Sequence, residues 1–224
     1  MERVAEPELM LDVEQACAYA SADFAEPHQR YVELLRERLE ALPSAGHALD
    51  LGCGPGDVTI RLARALPGWT IDALDGSPAM LDLARHAAVA SGVGSRIRFL
   101  EATLPAAELP QAGYELLASN SLLHHLAEPD SLWSTIVRSA VAGAFVFVMD
   151  LVRPRSEAEA RVLVDRYAAN EAEVLRRDFL NSLRAAYRPS EVRSQLAHAR
   201  LGHLTVEEVS DRHLVVWGRL NADE

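Results

Sequence analysis

Nine consecutive residues, Leu49-Asp50-Leu51-Gly52-Cys53-Gly54-Pro55-Gly56-Asp57, constrain the fold of this chain more than any other stretch. The apolar run over 47–51 reads as a short buried strand. It meets three glycines spaced G-x-G-x-G, and helical periodicity follows over 58–66 until Pro67 and Gly68 stop it. Glycines at such a junction let the backbone turn sharply and let a ligand come close to the main chain. In an open α/β sheet a loop of this kind lies at the carboxyl edge of the strands, where ligands bind.

The rest of the pattern supplies the sheet. Residues 69–74, 96–100, 114–119 and 143–151 read as further strands, with helices over 78–90 and from about Ser131. This alternation implies a parallel sheet with helices on both faces. Residues 204–209 and 213–219 flank the turn Ser210-Asp211-Arg212, and two strands joined so tightly must be antiparallel. The expected architecture is a Rossmann-like, doubly wound, seven-stranded α/β sheet with an antiparallel terminal hairpin and a helical cap. Residues 8–42 read as helical with breaks near Pro27 and Pro43. Residues 155–200 read as helical with an interruption near Pro189. The chain is expected to be a single domain over 1–224: an N-terminal helical cap (1–45), a cofactor-binding core (46–152), a helical insert (153–203) and the hairpin (204–219). Both helical segments are expected to cover the carboxyl edge.

A dinucleotide site is the first rival reading of the glycine loop. Its fingerprint is G-x-G-x-x-G, with a pyrophosphate on the helix N-terminus. Here Asp57 stands where the third glycine would be, Asp50 precedes the loop, and the loop meets no arginine before Arg61. A carboxylate at each end repels a pyrophosphate and suits a cationic ligand. A plain tight turn needs neither three glycines nor two flanking acids. Asp75 ends the second strand 19 residues after Gly56. That is close to the spacing of about 20 at which an acidic residue meets ribose hydroxyls. One carboxylate can accept from both hydroxyls. Ser77, ahead of Pro78, reads as the cap of the next helix.

Three motifs in order then resemble a known superfamily. Asp50-x-Gly-x-Gly-x-Gly, Leu74-Asp75-x-Ser77-x-x-Met80-Leu81 and Ser119-Asn120-x-x-Leu123-His124-His125-Leu126 look like the class I S-adenosylmethionine-dependent methyltransferases. The resemblance covers roughly 46–152 by motif and 204–219 by the hairpin. It implies S-adenosylmethionine as cofactor, a ligand with a sulfonium and an ammonium and no phosphate. It places Gly52, Cys53, Gly54 and Gly56 against the methionine part. It places Asp75 at the ribose and Gly76 and Met80 near the adenine, with Ser77 counted among the cofactor-binding residues. Thr103 and Leu104 follow the third strand, where such families usually carry an aspartate beside the adenine amino group. Asn120, with Ser121 beside it, would lie near the amino acid end and the transferred methyl. The layout also resembles the carboxy-S-adenosylmethionine synthase branch. There Asn120 matches an asparagine, Arg177 falls where a carboxylate-binding arginine stands, and His28 falls near a cofactor-contacting tyrosine.

For acceptor chemistry the candidates are His124 and His125, as a general base or as walls of the acceptor pocket. Arg177 is the candidate reader of an anionic substrate. It lies in an insert with ten arginines against seven acidic residues, a balance of +3. Tyr19, Asp23, Phe24 and His28 lie on a segment that either closes over the cofactor or packs as an ordinary amphipathic helix. No metal site is expected, because adjacent histidines do not share a helix face and no third ligand is placed nearby.

Composition removes other classes. The net charge of −11 argues against a broad polyanion surface, and so against nucleic acid as acceptor. All 22 basic residues are arginine. Without lysine there is no lysine Schiff base and no P-loop. The longest apolar runs are too short to span a bilayer, no leader pattern opens the sequence, and two cysteines give no disulfide framework. A cytoplasmic enzyme is therefore expected, monomeric or homodimeric, that transfers a methyl group from S-adenosylmethionine to a small molecule. The alternatives are a carboxy-S-adenosylmethionine synthase-like enzyme with an anionic second substrate, and a non-catalytic cofactor-binding protein.

Overall fold

The computed structural model describes residues 1–6, 16–17, 19–20, 22, 24–39, 43–105, 109 and 113–221. Its strands are β1 (Gly46–Leu51), β2 (Trp69–Asp75), β3 (Ile97–Glu101), β4 (Tyr114–Asn120), β5 (Ala140–Leu151), β6 (Thr205–Glu208) and β7 (His213–Arg219). They form one sheet in the order β3-β2-β1-β4-β5-β7-β6. β1 to β5 run parallel, and β7 is antiparallel to both β5 and β6. The chain moves outward from β1 through β2 to β3, then returns to place β4 on the other side of β1. That reversal opens a crevice at the carboxyl ends of β1 and β4. The expected seven-stranded sheet with a reversed hairpin is the one observed.

Seven helices have defined bounds: α1 (Ala25–Arg38), α2 (Asp57–Ala65), α3 (Pro78–Ala90), α4 (Asp130–Ser139), α5 (Glu157–Tyr167), α6 (Glu173–Ala185) and α7 (Pro189–His198). α1, α2 and α3 cover one face. Tyr31, Leu35, Ile60, Leu62, Leu81 and Ala88 pack there on Ile71, Phe147 and Met149. Tyr31 also donates its hydroxyl to the Phe147 carbonyl at 3.2 Å, so its buried oxygen is satisfied. α4 and α7 cover the other face, where Trp133, Ile136, Val192 and Leu196 join Val146, Val148 and Val216. The Trp133 indole donates to Gln195 at 3.1 Å and ties the two helices together.

Three expectations are refined. First, the break expected near Pro27 falls just ahead of it: residues 22 and 24 are not helical, and α1 starts at Ala25. Pro27 sits in the first turn of α1, where its missing N–H has no intrahelical partner to lose. Most of residues 8–23 lie outside the described set. Second, the two helical segments do not act wholly as a cap. α1 and α7 bury their apolar stripes against the sheet faces, which leaves the carboxyl edge to the start of α1 and to α5 and α6. Third, β5 starts at Ala140 rather than Gly143. Ala140 pairs with Tyr114, the register shifts between Tyr114 and Leu116, and Gly143 takes φ = 75°. A glycine absorbs this irregularity because it reaches positive φ without a Cβ clash.

The described helices contain none long and apolar enough to cross a membrane.

Candidate functional site

β1 delivers the glycine loop to the crevice. Gly52 and Cys53 both donate to the Leu74 carbonyl at the end of β2, at 2.8 and 3.0 Å, so the loop is bound to the neighbouring strand. Gly52 has φ = 73°, and a Cβ there would lie 2.9 Å from Leu122. Gly54 has φ = 52°, and a Cβ there would meet open space. This is the backbone that a ligand can approach. Gly56 departs from expectation, since it does not line the cavity at the loop. It caps α2 at φ = 86° and lies so close to α3 that a Cβ would sit 2.9 Å from Ala84. Its role in the structure is helix–helix approach.

The other residues expected at the cofactor come together. His28, Asp50, Gly52, Cys53, Gly54, Asp75, Gly76, Ser77, Met80, Thr103, Leu104, Asn120 and Ser121 all line one cavity. Ser77 caps α3, its hydroxyl accepting from the Met80 amide at 3.3 Å, as expected. The Asp75 carboxylate accepts from Gly54 N and Ser77 N, both at 2.8 Å. Burial raises its pKa, and the Ser77 and Gly54 amides work against that rise.

Charge in this cavity is one-sided. No arginine is among the described residues that line it. Asp50 is almost fully buried at the end of β1 and accepts from the Thr59 hydroxyl at 2.5 Å. Burial pushes its pKa up to about 6, and the charge of Asp75 adds to the rise. Asp57 differs. Burial would raise its pKa, but His28 Nδ1 at 2.8 Å and Arg61 Nε at 2.8 Å hold it down to about 2. Asp57 is thus neutralised by its own partners. The carboxylates of this cavity without an ion-pair partner among the described residues are Asp50 and Asp75, whereas the sequence reading rested on Asp50 and Asp57.

A second cavity, of about 700 Å³, adjoins the first. Tyr19, His28, Asn120, Ser121 and His125 line both. Ser121 takes φ = 57°, a left-handed conformation that non-glycine residues rarely adopt, at this junction. The far walls come from the start of α1 (Phe24, Pro27) and from α5, α6 and the loop between them (Tyr167, Leu175, Phe179). Asp23 lies outside the described residues. Arg177 lines this cavity, but its side chain is 66% exposed and hydrogen-bonds the adjacent Asp178 at 3.4 Å.

The two histidines have different surroundings. His124 is buried, and its Nδ1 is 2.6 Å from Asp150 Oδ1 at the end of β5. Burial lowers its pKa, but the charge and hydrogen bond of Asp150 outweigh that and raise it above the ordinary histidine value. His125 is partly exposed and faces both cavities. The expectation that no third metal-binding group stands near them is overturned. Glu6 Oε1 lies 3.5 Å from His124 Nε2 and 3.4 Å from His125 Nδ1. Residues 1–6 reach this place because Arg3 anchors them. Its guanidinium donates to the carbonyls of Ala185, His124 and Leu126 at 2.6–3.1 Å and stacks on Tyr187. Sequence reasoning thus missed Glu6, Thr59 and Asp150. Asp150 had a signal, as the last acidic residue of a strand that neighbours β4.

Comparisons with known proteins bear on the family and the fold. Residues 48–143 match a family described as a methyltransferase domain. The uncharacterized methyltransferase Rv0089 of Mycobacterium tuberculosis is 33% identical over 106 residues, covering 47% of this chain and 51% of that protein. The release factor glutamine methyltransferase of Chlorobaculum tepidum is 36% identical over 113 residues (46% and 37%). The trans-aconitate 2-methyltransferase of M. tuberculosis is 33% identical over 107 residues (48% and 38%). The chain therefore spans about half the length, or less, of the curated relatives it matches. An S-adenosylmethionine-dependent methyltransferase from Aquifex aeolicus shares the fold, with a TM-score of 0.70 at 16% identity over 94% of this chain and all of that one. The fold is that of the class I S-adenosylmethionine-dependent methyltransferases, as the three motifs suggested.

Proposed function

We propose that the chain is an S-adenosylmethionine-dependent methyltransferase whose acceptor is a small molecule. The observation that carries this reading is the meeting of two cavities at Asn120, Ser121 and His125, one acidic and glycine-lined, the other about 700 Å³. A cavity of some 300–1,000 Å³ is the size that holds a small ligand.

The residues present fit the cofactor. Asp75 would accept from the ribose hydroxyls, Gly76 and Met80 would flank the adenine with Thr103 and Leu104, and the Gly52–Gly54 backbone would face the methionine part. Asp50 would stabilise its positive charge, and Asn120 and Ser121 would stand at the methyl. Bound there, S-adenosylmethionine supplies an electrophilic methyl on a sulfonium. The protein's own contribution is mainly orientation, because an in-line displacement gains most from a nucleophile held behind the methyl carbon. His125 lines both cavities, so its ring stands where an acceptor proton would leave. His124 holds that loop in place through Asp150. Arg177 is largely exposed and paired with its neighbour, whereas the buried arginine that lines this cavity is Arg212, stacked on the Tyr167 ring. A cytoplasmic setting remains part of this reading.

Calorimetric titration with S-adenosylmethionine, S-adenosylhomocysteine and NAD tests it. Binding of the first two with none of NAD is expected. Preference for NAD would overturn the assignment, as would failure to bind either sulfur compound. The pH dependence is a second expected outcome. Asp50, with a pKa of about 6, is partly protonated near that pH, and a bound cation favours its ionised form. Affinity for S-adenosylmethionine should therefore rise as pH increases through 6, with a proton released on binding. Repeating the titration in buffers of different ionisation enthalpy measures that proton. Asp50→Asn should abolish its release.

A further inference from the structure

From the convergence of Glu6, His124 and His125 we infer that this chain holds one divalent transition-metal ion at the wall of the acceptor cavity. Glu6 Oε1, His124 Nε2 and His125 Nδ1 lie within 4.8 Å of one another, and all three residues line that cavity. The two contacts to Glu6 Oε1, 3.4 and 3.5 Å, are too long for good hydrogen bonds, and this buried oxygen has no hydrogen-bond partner among the described residues. Those separations suit a different purpose. Nitrogen and oxygen ligands bound at about 2.0–2.2 Å to a tetrahedral ion lie roughly 3.3 Å from each other. Small side-chain adjustments would bring the three donors onto one ion.

The surroundings are those of a ligand set. Asp150 Oδ1 faces His124 Nδ1 at 2.6 Å. With the ring neutral, the Nδ1 proton goes to Asp150 and the Nε2 lone pair points to Glu6. A carboxylate behind a histidine is the usual outer partner of a metal-bound imidazole. Ser182 on α6 hydrogen-bonds the Glu6 carboxylate. The nearby Arg3 does not compete for Glu6, since its guanidinium donates to three backbone carbonyls. Two carboxylates, Glu6 and Asp150, balance a doubly charged ion. Three protein ligands leave a coordination position open, and here it faces the acceptor cavity. An oxygen or nitrogen donor of the acceptor would take it, and the ion would lower that donor's pKa. The site rests on donor geometry and does not depend on the methyl-transfer reading.

The alternative occupant of the cluster is a proton, with an imidazolium of His124 held between Asp150 and Glu6. Metal binding by the full chain decides between them. Protein stripped with EDTA and dialysed is titrated with Zn²⁺ by calorimetry and with Co²⁺ by visible absorption. The expected result is one ion per chain, with d–d bands from Co²⁺ in a low-coordinate site. Glu6→Gln, close to isosteric, should lose that binding while its thermal melt stays near wild type. Asp150→Asn should weaken it by roughly 10–100-fold, as loss of an outer carboxylate does. No stoichiometric binding overturns the proposal. So does binding that Glu6→Gln and His125→Ala leave unchanged, because the ion would then sit on other histidines.

Discussion

Calorimetric titration of Asp75→Ala with S-adenosylhomocysteine is expected to show affinity lower by about 10²–10⁴-fold. Hydrogen bonds to a charged group contribute about 1.5–3 kcal/mol each, and the two ribose hydroxyls make two of them. The structure adds a second source of loss. The same carboxylate holds Gly54 N and Ser77 N, so its removal also frees the glycine loop from the start of α3. Asp75→Asn separates the two effects. It keeps one acceptor oxygen and turns a donor toward a donor at the other, so an intermediate loss is expected. Asp82, exposed on α3, provides a control, and Asp82→Asn should bind as the wild type does. Wild-type affinity in Asp75→Ala would remove Asp75 from the cofactor site. NAD titration of the same variant would then show whether the loop serves a different ligand.

Asp75 was legible in the sequence because its surroundings are local. It ends a strand, it lies a fixed distance from the glycine loop, and Ser77 and Pro78 follow with an evident cap. The same holds for β1, α2 and the terminal hairpin, whose patterns are set within a few residues. What escaped reading depends on contacts between distant parts of the chain. Asp57 looks from sequence like a free carboxylate, but His28, 29 residues away, hydrogen-bonds it. α7 shows an amphipathic stripe, and a stripe says that a face is buried without saying against what. Only the packing of Val192 and Leu196 beside Trp133 assigns it to the sheet rather than to the cap. Gly56 has the spacing of a ligand-facing glycine, yet Ala84 on α3 explains it. Glu6 carried no local signal at all, because its place is decided by Arg3 reaching carbonyls more than a hundred residues on.

The second large effect concerns stability. Asp150→Ala is expected to destabilise the fold by about 3–5 kcal/mol, the loss seen when one partner of a buried ion pair is removed. For a chain of this size that lowers the melting temperature by roughly 6–20 °C. Asp150 and His124 are each 2% exposed, and Asp150 Oδ1 also accepts the Leu151 amide at 2.6 Å, so alanine leaves several buried donors without an acceptor. Asp150→Asn keeps an acceptor and should cost less. The pH profile gives the sign independently. Burial lowers the His124 pKa but Asp150 raises it further, so the folded value lies above the ordinary 6.5. Its stabilisation is full below 6.5 and is lost as pH rises through the folded value. Burial raises the Asp150 pKa but the His124 charge lowers it further, so the folded value lies below the ordinary 3.8. Its stabilisation is full above 3.8 and is lost as pH falls through the folded value. The pair therefore contributes most between those two ordinary values. Asp50 and Glu6, both raised mainly by burial, add stability toward acid and lose it as pH rises. Thermal unfolding of the EDTA-stripped wild type, in which no ion competes with the His124 proton, should show its highest midpoint in mild acid and a fall toward pH 8. Asp150→Asn should flatten the upper limb of that curve, because His124 then loses the carboxylate that contributes most to holding its proton. A wild-type midpoint that keeps rising above pH 7 would mean that His124 is neutral in the folded protein and that the pair is held by a plain hydrogen bond.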